Sequence, residues 1–188
     1  MVKGHREFLH CKINDFTLIY AMRVLQKAKM PPFIPLYEVM TYRQISEYFN
    51  VSEKRLRNIV SCYRNRFNDD YTELSGREVG LIAVDKKDLG CHYGWSYTFS
   101  NGVKVHNIAY GTNIVFNARA ILHFALYLYD ESTIAKGIAD LLHKAFYQDL
   151  GKVDAPRLKQ WFFYEEPQNE TNNPDATGID IHIHITTH

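Results

Sequence analysis

Residues 41–66 read TYRQISEYFNVSEKRLRNIVSCYRNR, and the fold turns on how this stretch is parsed. Two short helices joined by a tight turn at Phe49-Asn50-Val51-Ser52 satisfy its local preferences. The first, over about 41–49, puts Ile45, Tyr48 and Phe49 on one side. The second opens at Ser52, whose hydroxyl can accept an orphan backbone N–H at the helix start. Leu56, Ile59, Val60 and Tyr63 then recur at helical spacing and define one face. Ser46 is small enough for two helices to approach closely. Asn50 tolerates left-handed backbone geometry better than most residues other than Gly. Lys54, Arg55, Arg57, Asn58, Ser61 and Arg64 occupy much of the remaining surface of the second helix.

This is the layout of a helix-turn-helix, in which the second helix enters the major groove of DNA. The plainer alternative is an αα-hairpin with a solvated basic face. On the DNA reading, Lys54, Arg55, Arg57, Asn58 and Ser61 face the groove. Arg and Asn suit bidentate contacts with guanine and adenine. Arg43, Arg64 and Arg66 hold phosphates, and the helix N-terminus at Ser52 adds a backbone contact. A single module binds weakly, so a homodimer on paired half-sites is expected.

The charge distribution fits this placement better than the total does. The 188-residue chain has a formal net charge of only +1. Residues 41–66, however, carry six Lys/Arg against two acids, a local charge of +4, whereas residues 151–188 carry three bases against six acids, a local −3. A basic patch with an acidic tail is compatible with a nucleic-acid partner. The near-neutral total favours a second class of function, a protein-binding effector for which the two helices are scaffold.

Working outward from 41–66, Met30-Pro31-Pro32-Phe33-Ile34-Pro35-Leu36 must be extended, as a linker or a strap across the core, because its prolines exclude regular helix. Before it, Asn14 or Asp15 can cap a helix running to about residue 29. Phe16, Ile19, Met22 or Arg23, and Leu25 or Gln26 form its apolar stripe, widened by Leu18 and Val24, and its role is packing or dimerisation. Residues 1–13 are either poorly ordered or a short helix. After Arg66, turn-like Ser75-Gly76 and Gly80 lie among Leu74, Val79, Leu81 and Ile82. Ser100-Asn101-Gly102 reads as a type I′ hairpin, with Asn-Gly supplying positive φ. Trp95, Tyr97 and Phe99 stand on one side of it, and Val103, Val105 and Asn107 on the other. A small antiparallel sheet is therefore expected between about 74 and 116. A hairpin after a helix-turn-helix corresponds to the wing of a winged helix, where Lys86, Lys87 and Lys104 would touch phosphates.

Residues 117–147 form a helical pair. Asn117 caps the first helix, whose buried face is Ile121, Leu122, Ala125, Leu128 and Tyr129. Asp130 or Ser132 caps the second, whose stripe is Ile134, Ile138, Leu141, Leu142, Ala145 and Phe146. His123 and His143 read as packing or surface residues. In the tail, Trp161-Phe162-Phe163-Tyr164 is an aromatic anchor, residues 165–178 a polar loop, and Ile179, Ile181, Ile183 and Ile185 the apolar face of a terminal strand. Asp180, His182 and His184 share its other face. A metal-dependent nuclease built on them is the enzymatic alternative, but no spaced acid–base set or phosphate-cradling loop supports it. Neither enzymatic activity nor a cofactor or metal is expected.

Cys11, Cys62 and Cys91 are odd in number, widely spaced and without a zinc pattern. They read as reduced thiols, with Cys62 in packing, which points to the cytoplasm. No apolar run is long enough to span a membrane, and no membrane partner is expected.

Two segments resemble a known family. EVMTYRQISEYFNVSEKRLRNIVSCYRNRFNDDYTEL (38–74) is similar to the N-terminal module of phage- and prophage-encoded regulatory proteins of the antirepressor type, found mainly in Gram-positive bacteria. VFNARAILHFALYLYDESTIAKGIADLL (115–142) is similar to their recurring segment, in which Arg-Ala begins one helix and an Asp-acid-Ser element leading to Ala-Lys begins the next. Arg119-Ala120 and Asp130 to Lys136 fill those places, with Gly137-Ile138 following Lys136 where the family pattern has Arg after a Lys-acid pair. The resemblance implies a transcription regulator with double-stranded DNA, and a phage or host regulatory protein, as partners. The expected architecture is α+β, divided into an N-terminal helix and Pro-rich strap (1–35), a winged helix-turn-helix-like DNA-binding region (36–116), the helical pair (117–150) and the aromatic anchor, polar loop and terminal strand (151–188).

Overall fold

The computed structural model of the chain describes residues 3–90 and 94–148. The aromatic anchor, polar loop, terminal strand and Asp180, His182 and His184 lie outside the described residues, as does Cys91. The described chain is α+β, with helices packed around a central one and two small antiparallel sheets. No helix among the described residues is long and apolar enough to cross a membrane.

The central helix is α6 (Ala118–Tyr127). Asn117 caps it as expected, its side chain accepting from the amides of Arg119 and Ala120. The expected single buried face is too narrow, because Ala120 through Leu128 are all buried. A helix with apolar residues all round has to be enclosed, and α1 (Lys3–Asn14), α2 (Leu18–Ala28), α4 (Glu53–Cys62) and α7 (Thr133–His143) pack against it. Ser132, rather than Asp130, caps α7 by accepting from Ala135 N. Residues from 1–35, 36–116 and 117–150 share this one core.

The N-terminal segment is a helix, and α2 starts later than expected. Its cap is Thr17, which accepts from Tyr20 N, because α1 runs through Asn14, whose Oδ1 lies 3.1 Å from His123 Nε2. Val24 and Leu25 are buried as expected and Ala21 joins them, whereas Ile19 is 67% exposed. The proline-rich segment is a strap on the body. Phe33 and Ile34 are buried, Gln44 Nε2 donates to Pro32 O at 2.7 Å, and Ile34 bridges to Val39 across a turn in which Leu36 (φ 67°) and Glu38 (φ 50°) take left-handed geometry.

The first sheet has the order β1-β6-β2, from Met40–Thr41, Thr112–Phe116 and Tyr71–Ser75, and is antiparallel throughout, with Met40 and Tyr71 both opposite Phe116. The second, β3-β4-β5 (Asp85–Asp88, Trp95–Thr98, Lys104–Ile108), lies in the chain between β2 and β6. The single expected sheet is thus two, joined by a smaller core that includes Ile34, Leu74, Val79, Tyr97, Phe99 and Val115. Ser75-Gly76, read as a turn, starts the short helix α5 (Gly76–Gly80) through a Ser75–Glu78 capping box.

The Ser100-Asn101-Gly102 hairpin is real, but it is not type I′. Gly102 alone has positive φ (79°), Gly102 N donates to Phe99 O, and Phe99 N donates to Val103 O. This is a three-residue loop, a type I turn followed by a left-handed Gly, in which Asn101 Oδ1 accepts from Val103 N. Tyr97 and Phe99 point inward as expected. Asn107 does not. Trp95 pairs with Ile108 and Tyr97 with Val105, so residues 106 and 107 bulge against Ser96, and Asn107 takes φ 59°.

Candidate nucleic-acid interface

α3 (Tyr42–Phe49) and α4 (Glu53–Cys62) are joined through Asn50, Val51 and Ser52. Thr41 and Gln44 cap α3 reciprocally, a Thr-x-x-Gln signature present in the sequence. Asn50 takes the left-handed conformation expected of it, φ 55° and ψ 50°. Val51 N then donates to Ser46 O at 2.9 Å, closing the turn. Ser52 Oγ accepts from Arg55 N at 3.2 Å, so the hydroxyl already satisfies one amide at the start of α4. Ile45, Tyr48 and Phe49 of α3 are buried, as are Leu56 and Ile59 of α4. Val60 is half-buried, and Tyr63 is 45% exposed with its ring stacked on Tyr127 at 4.2 Å. Cys62 is exposed rather than packed.

The outward side of α4 carries Lys54, Arg57, Asn58 and Ser61, all exposed. Their spacing of three, four and seven residues makes one helical stripe. Arg64 follows in a 3-10 turn and is also exposed. Arg57 is held in place from two sides. Its guanidinium lies 4.4 Å from the centre of the Tyr42 ring, and Nη2 reaches Glu53 at 3.3 Å. Arg43 pairs with Glu47 at 3.0 Å. Both ion pairs have i,i+4 spacing and stand in solvent, where each contributes little.

Two residues assigned to this face stand differently. Arg55 reaches across to the loop between α6 and α7, where its Nε and Nη2 form a fork on the Glu131 carboxylate at 2.6–3.0 Å. That hydrogen bonding raises the Arg55 pKa further above its ordinary value. Arg66 turns toward α1 and pairs with Glu7. Among the described residues, Lys54 and Arg64 are the cations of this region without a carboxylate partner. Lys104, at the start of β5, is exposed. Lys87 is exposed on β3, and Lys86 sits over the Trp95 ring at 3.5 Å.

Sequence reasoning passed over Tyr42, Glu53 and Glu131. Glu53 was legible, since it stands four residues before Arg57. Glu131 lies 76 residues from Arg55, and no local pattern connects them. Among the described residues, no group of three or more His, Cys, Asp or Glu side chains is placed to hold a metal ion. Comparison with protein-family models, curated proteins and solved structures returned no match.

Proposed function

We propose that the chain is a double-stranded DNA-binding regulator that reads the major groove with α4, supported by α3. The observation that carries this reading is the exposed stripe Lys54, Arg57, Asn58 and Ser61 on a helix whose opposite side is locked into the core. The order of elements supports it. A short strand, two helices across a tight turn and two further strands follow one another, with the strands in the sheet order β1-β6-β2, an order that supports a winged helix-turn-helix reading. The β3-β4-β5 sheet occupies the place of the wing in the chain, with Lys87 and Lys104 on it. Arg57 and Asn58 are the base-reading candidates; Lys54, Arg64 and Arg43 are phosphate candidates. So few unpaired cations give one module weak binding, and a homodimer on paired half-sites supplies the rest. The phage regulators that 38–74 and 115–142 resemble are the class in which we place it.

The test is selection of duplexes from a random pool with the purified chain, followed by binding at two salt concentrations. An enriched sequence, binding that weakens steeply with salt, and loss of selectivity in Arg57→Ala/Asn58→Ala with the fold intact are expected. No enrichment would overturn the reading.

A second reading has its own observation. Arg43, Arg55, Arg57 and Arg66 are all matched by carboxylates within the chain, which lowers the field a polyanion would feel. A protein-binding effector of phage type, with α3 and α4 as scaffold, fits that neutrality. It predicts no salt-sensitive duplex binding and capture of a defined protein partner.

A further inference from the structure

We infer that Glu131 is a specificity-determining residue, withholding Arg55 from phosphate so that α4 does not bind DNA indiscriminately. The inference rests on the DNA-binding reading above. Arg55 follows Lys54 in α4 and lies on the flank of the exposed stripe beside Asn58, one helical turn away. An arginine there is placed to take a phosphate of any sequence. Instead, Nε lies 2.9 and 3.0 Å from the two Glu131 oxygens, and Nη2 lies 2.6 Å from one of them. Two guanidinium nitrogens are thus engaged by one carboxylate, donors that a phosphate would otherwise take. The pair is not buried: the side chains are 42% and 39% exposed. A duplex approaching this flank therefore meets an arginine already neutralised and a carboxylate at the edge of the interface.

The loop is also held by its own backbone, since Glu131 N and Ser132 N both donate to Leu128 O at 2.9 and 3.0 Å. Glu131 is thus held beside α4 by more than its own contact. A carboxylate placed against the wrong ligand raises selectivity by removing affinity that every sequence would share. The stripe Lys54, Arg57, Asn58 and Ser61 then decides binding by its fit to base edges.

The experiment uses the full chain as wild type, Glu131→Gln, Arg55→Gln, Lys54→Gln and the Arg55→Gln/Glu131→Gln double variant. Binding to a labelled random-sequence duplex and to the duplex enriched in the selection is measured over a range of salt, with thermal melting as the check on fold. Glu131→Gln is expected to bind the random duplex severalfold more tightly. Its plot of log affinity against log salt should steepen by about 0.9, the increment of one phosphate contact. The ratio of selected to random affinity should fall. The double variant should return the slope to that of the wild type, and Arg55→Gln alone should flatten it less than Lys54→Gln does. An unchanged slope and ratio in Glu131→Gln, a double variant that keeps the gain, or equal losses in Arg55→Gln and Lys54→Gln would each overturn the inference while leaving α4 as the reading helix. A wild type with no salt-sensitive duplex binding would remove the DNA reading itself, and this inference with it.

Discussion

His10 Nδ1 and His123 Nδ1 face each other at 2.8 Å in the interior, between α1 and α6. One nitrogen must carry the proton and the other must accept it. The neighbours decide which. His123 Nε2 lies 3.1 Å from the side-chain oxygen Oδ1 of Asn14, so it carries its proton there, and its Nδ1 is the acceptor. His10 therefore donates from Nδ1, leaving its buried Nε2 without a hydrogen bond among the described residues. Both rings are neutral. Burial, followed by the charge of His123, Arg66 and Arg6, holds His10 down to about 2. Burial, followed by Arg66 and Arg119, holds His123 down to about 3.

Acid should therefore unfold this protein through the histidine pair. In the unfolded chain both rings protonate near 6.5, whereas in the fold they stay neutral until about 3 or below. The unfolded state binds more protons between those values, so stability is fully present above pH 6.5 and falls as pH drops. Each histidine contributes a slope of about 1.4 kcal/mol per pH unit in that window. Urea unfolding followed by circular dichroism at a series of pH values will show it, and His123→Gln should reduce the slope by about half. An equally steep slope in that variant would place the acid sensitivity elsewhere.

Asp70 and Arg119 clasp the same region. Arg119 Nε donates to Asp70 Oδ1 at 2.7 Å, and the carboxylate is 4% exposed. Asn117, the cap of α6, reaches the same oxygen, and Arg119 also donates to the carbonyls of Phe16 and Asp69. Asp70→Ala leaves a largely buried guanidinium without its counter-charge, which costs about 3 kcal/mol or more. Denaturant unfolding of Asp70→Ala and Asp70→Asn checks this. The amide can still accept from Arg119, so Asp70→Asn should lose less.

Asn50 carries the turn between α3 and α4 at φ 55°. A residue with a Cβ and no local hydrogen-bonding group pays about 1 kcal/mol for left-handed backbone, and Gly pays none. Asn50→Ala should lower stability by about 1 kcal/mol, and Asn50→Gly should be close to neutral. Equal losses in the two would show that the Asn side chain, not its backbone angle, is what the turn needs.

Local chemistry made α3, its turn, α4 and the starts of α6 and α7 readable, because Asn50, Ser52, Asn117 and Ser132 each act on backbone within a few residues of themselves. Asn14 has the chemistry of a cap, but α1 continues through it and His123, 109 residues away, takes its side chain, so Thr17 caps α2 instead. The same limit hid the candidate site's shape. Arg55 and Arg66 have the composition of DNA contacts, yet Glu131 and Glu7, brought in by the packing of α6, α7 and α1, claim them. Periodicity also failed on α6, where apolar residues all round leave no face to choose. A classification of the hairpin by Asn-Gly alone missed the bulge at residues 106 and 107, which depends on how β5 pairs with β4.

Arg57 offers the sharpest contrast between charge and recognition. Its guanidinium rests on the Tyr42 ring at 4.4 Å, with Glu53 on one edge, while 59% of the side chain remains exposed. A guanidinium held over an aromatic ring and by one carboxylate keeps further donors for a two-point contact of the kind that pairs with a guanine. Arg57→Lys keeps the charge and loses the plane. On the DNA reading it should leave the salt slope almost unchanged, while discrimination at one base pair falls by about 1–3 kcal/mol. Lys54→Ala should do the reverse, reducing the slope by about 0.9 with discrimination retained. Competition with duplexes substituted one base at a time measures both. Retained discrimination in Arg57→Lys would reduce Arg57 to a phosphate contact and shift base reading to Asn58 and Ser61, the uncharged hydrogen-bonding side chains on that stripe.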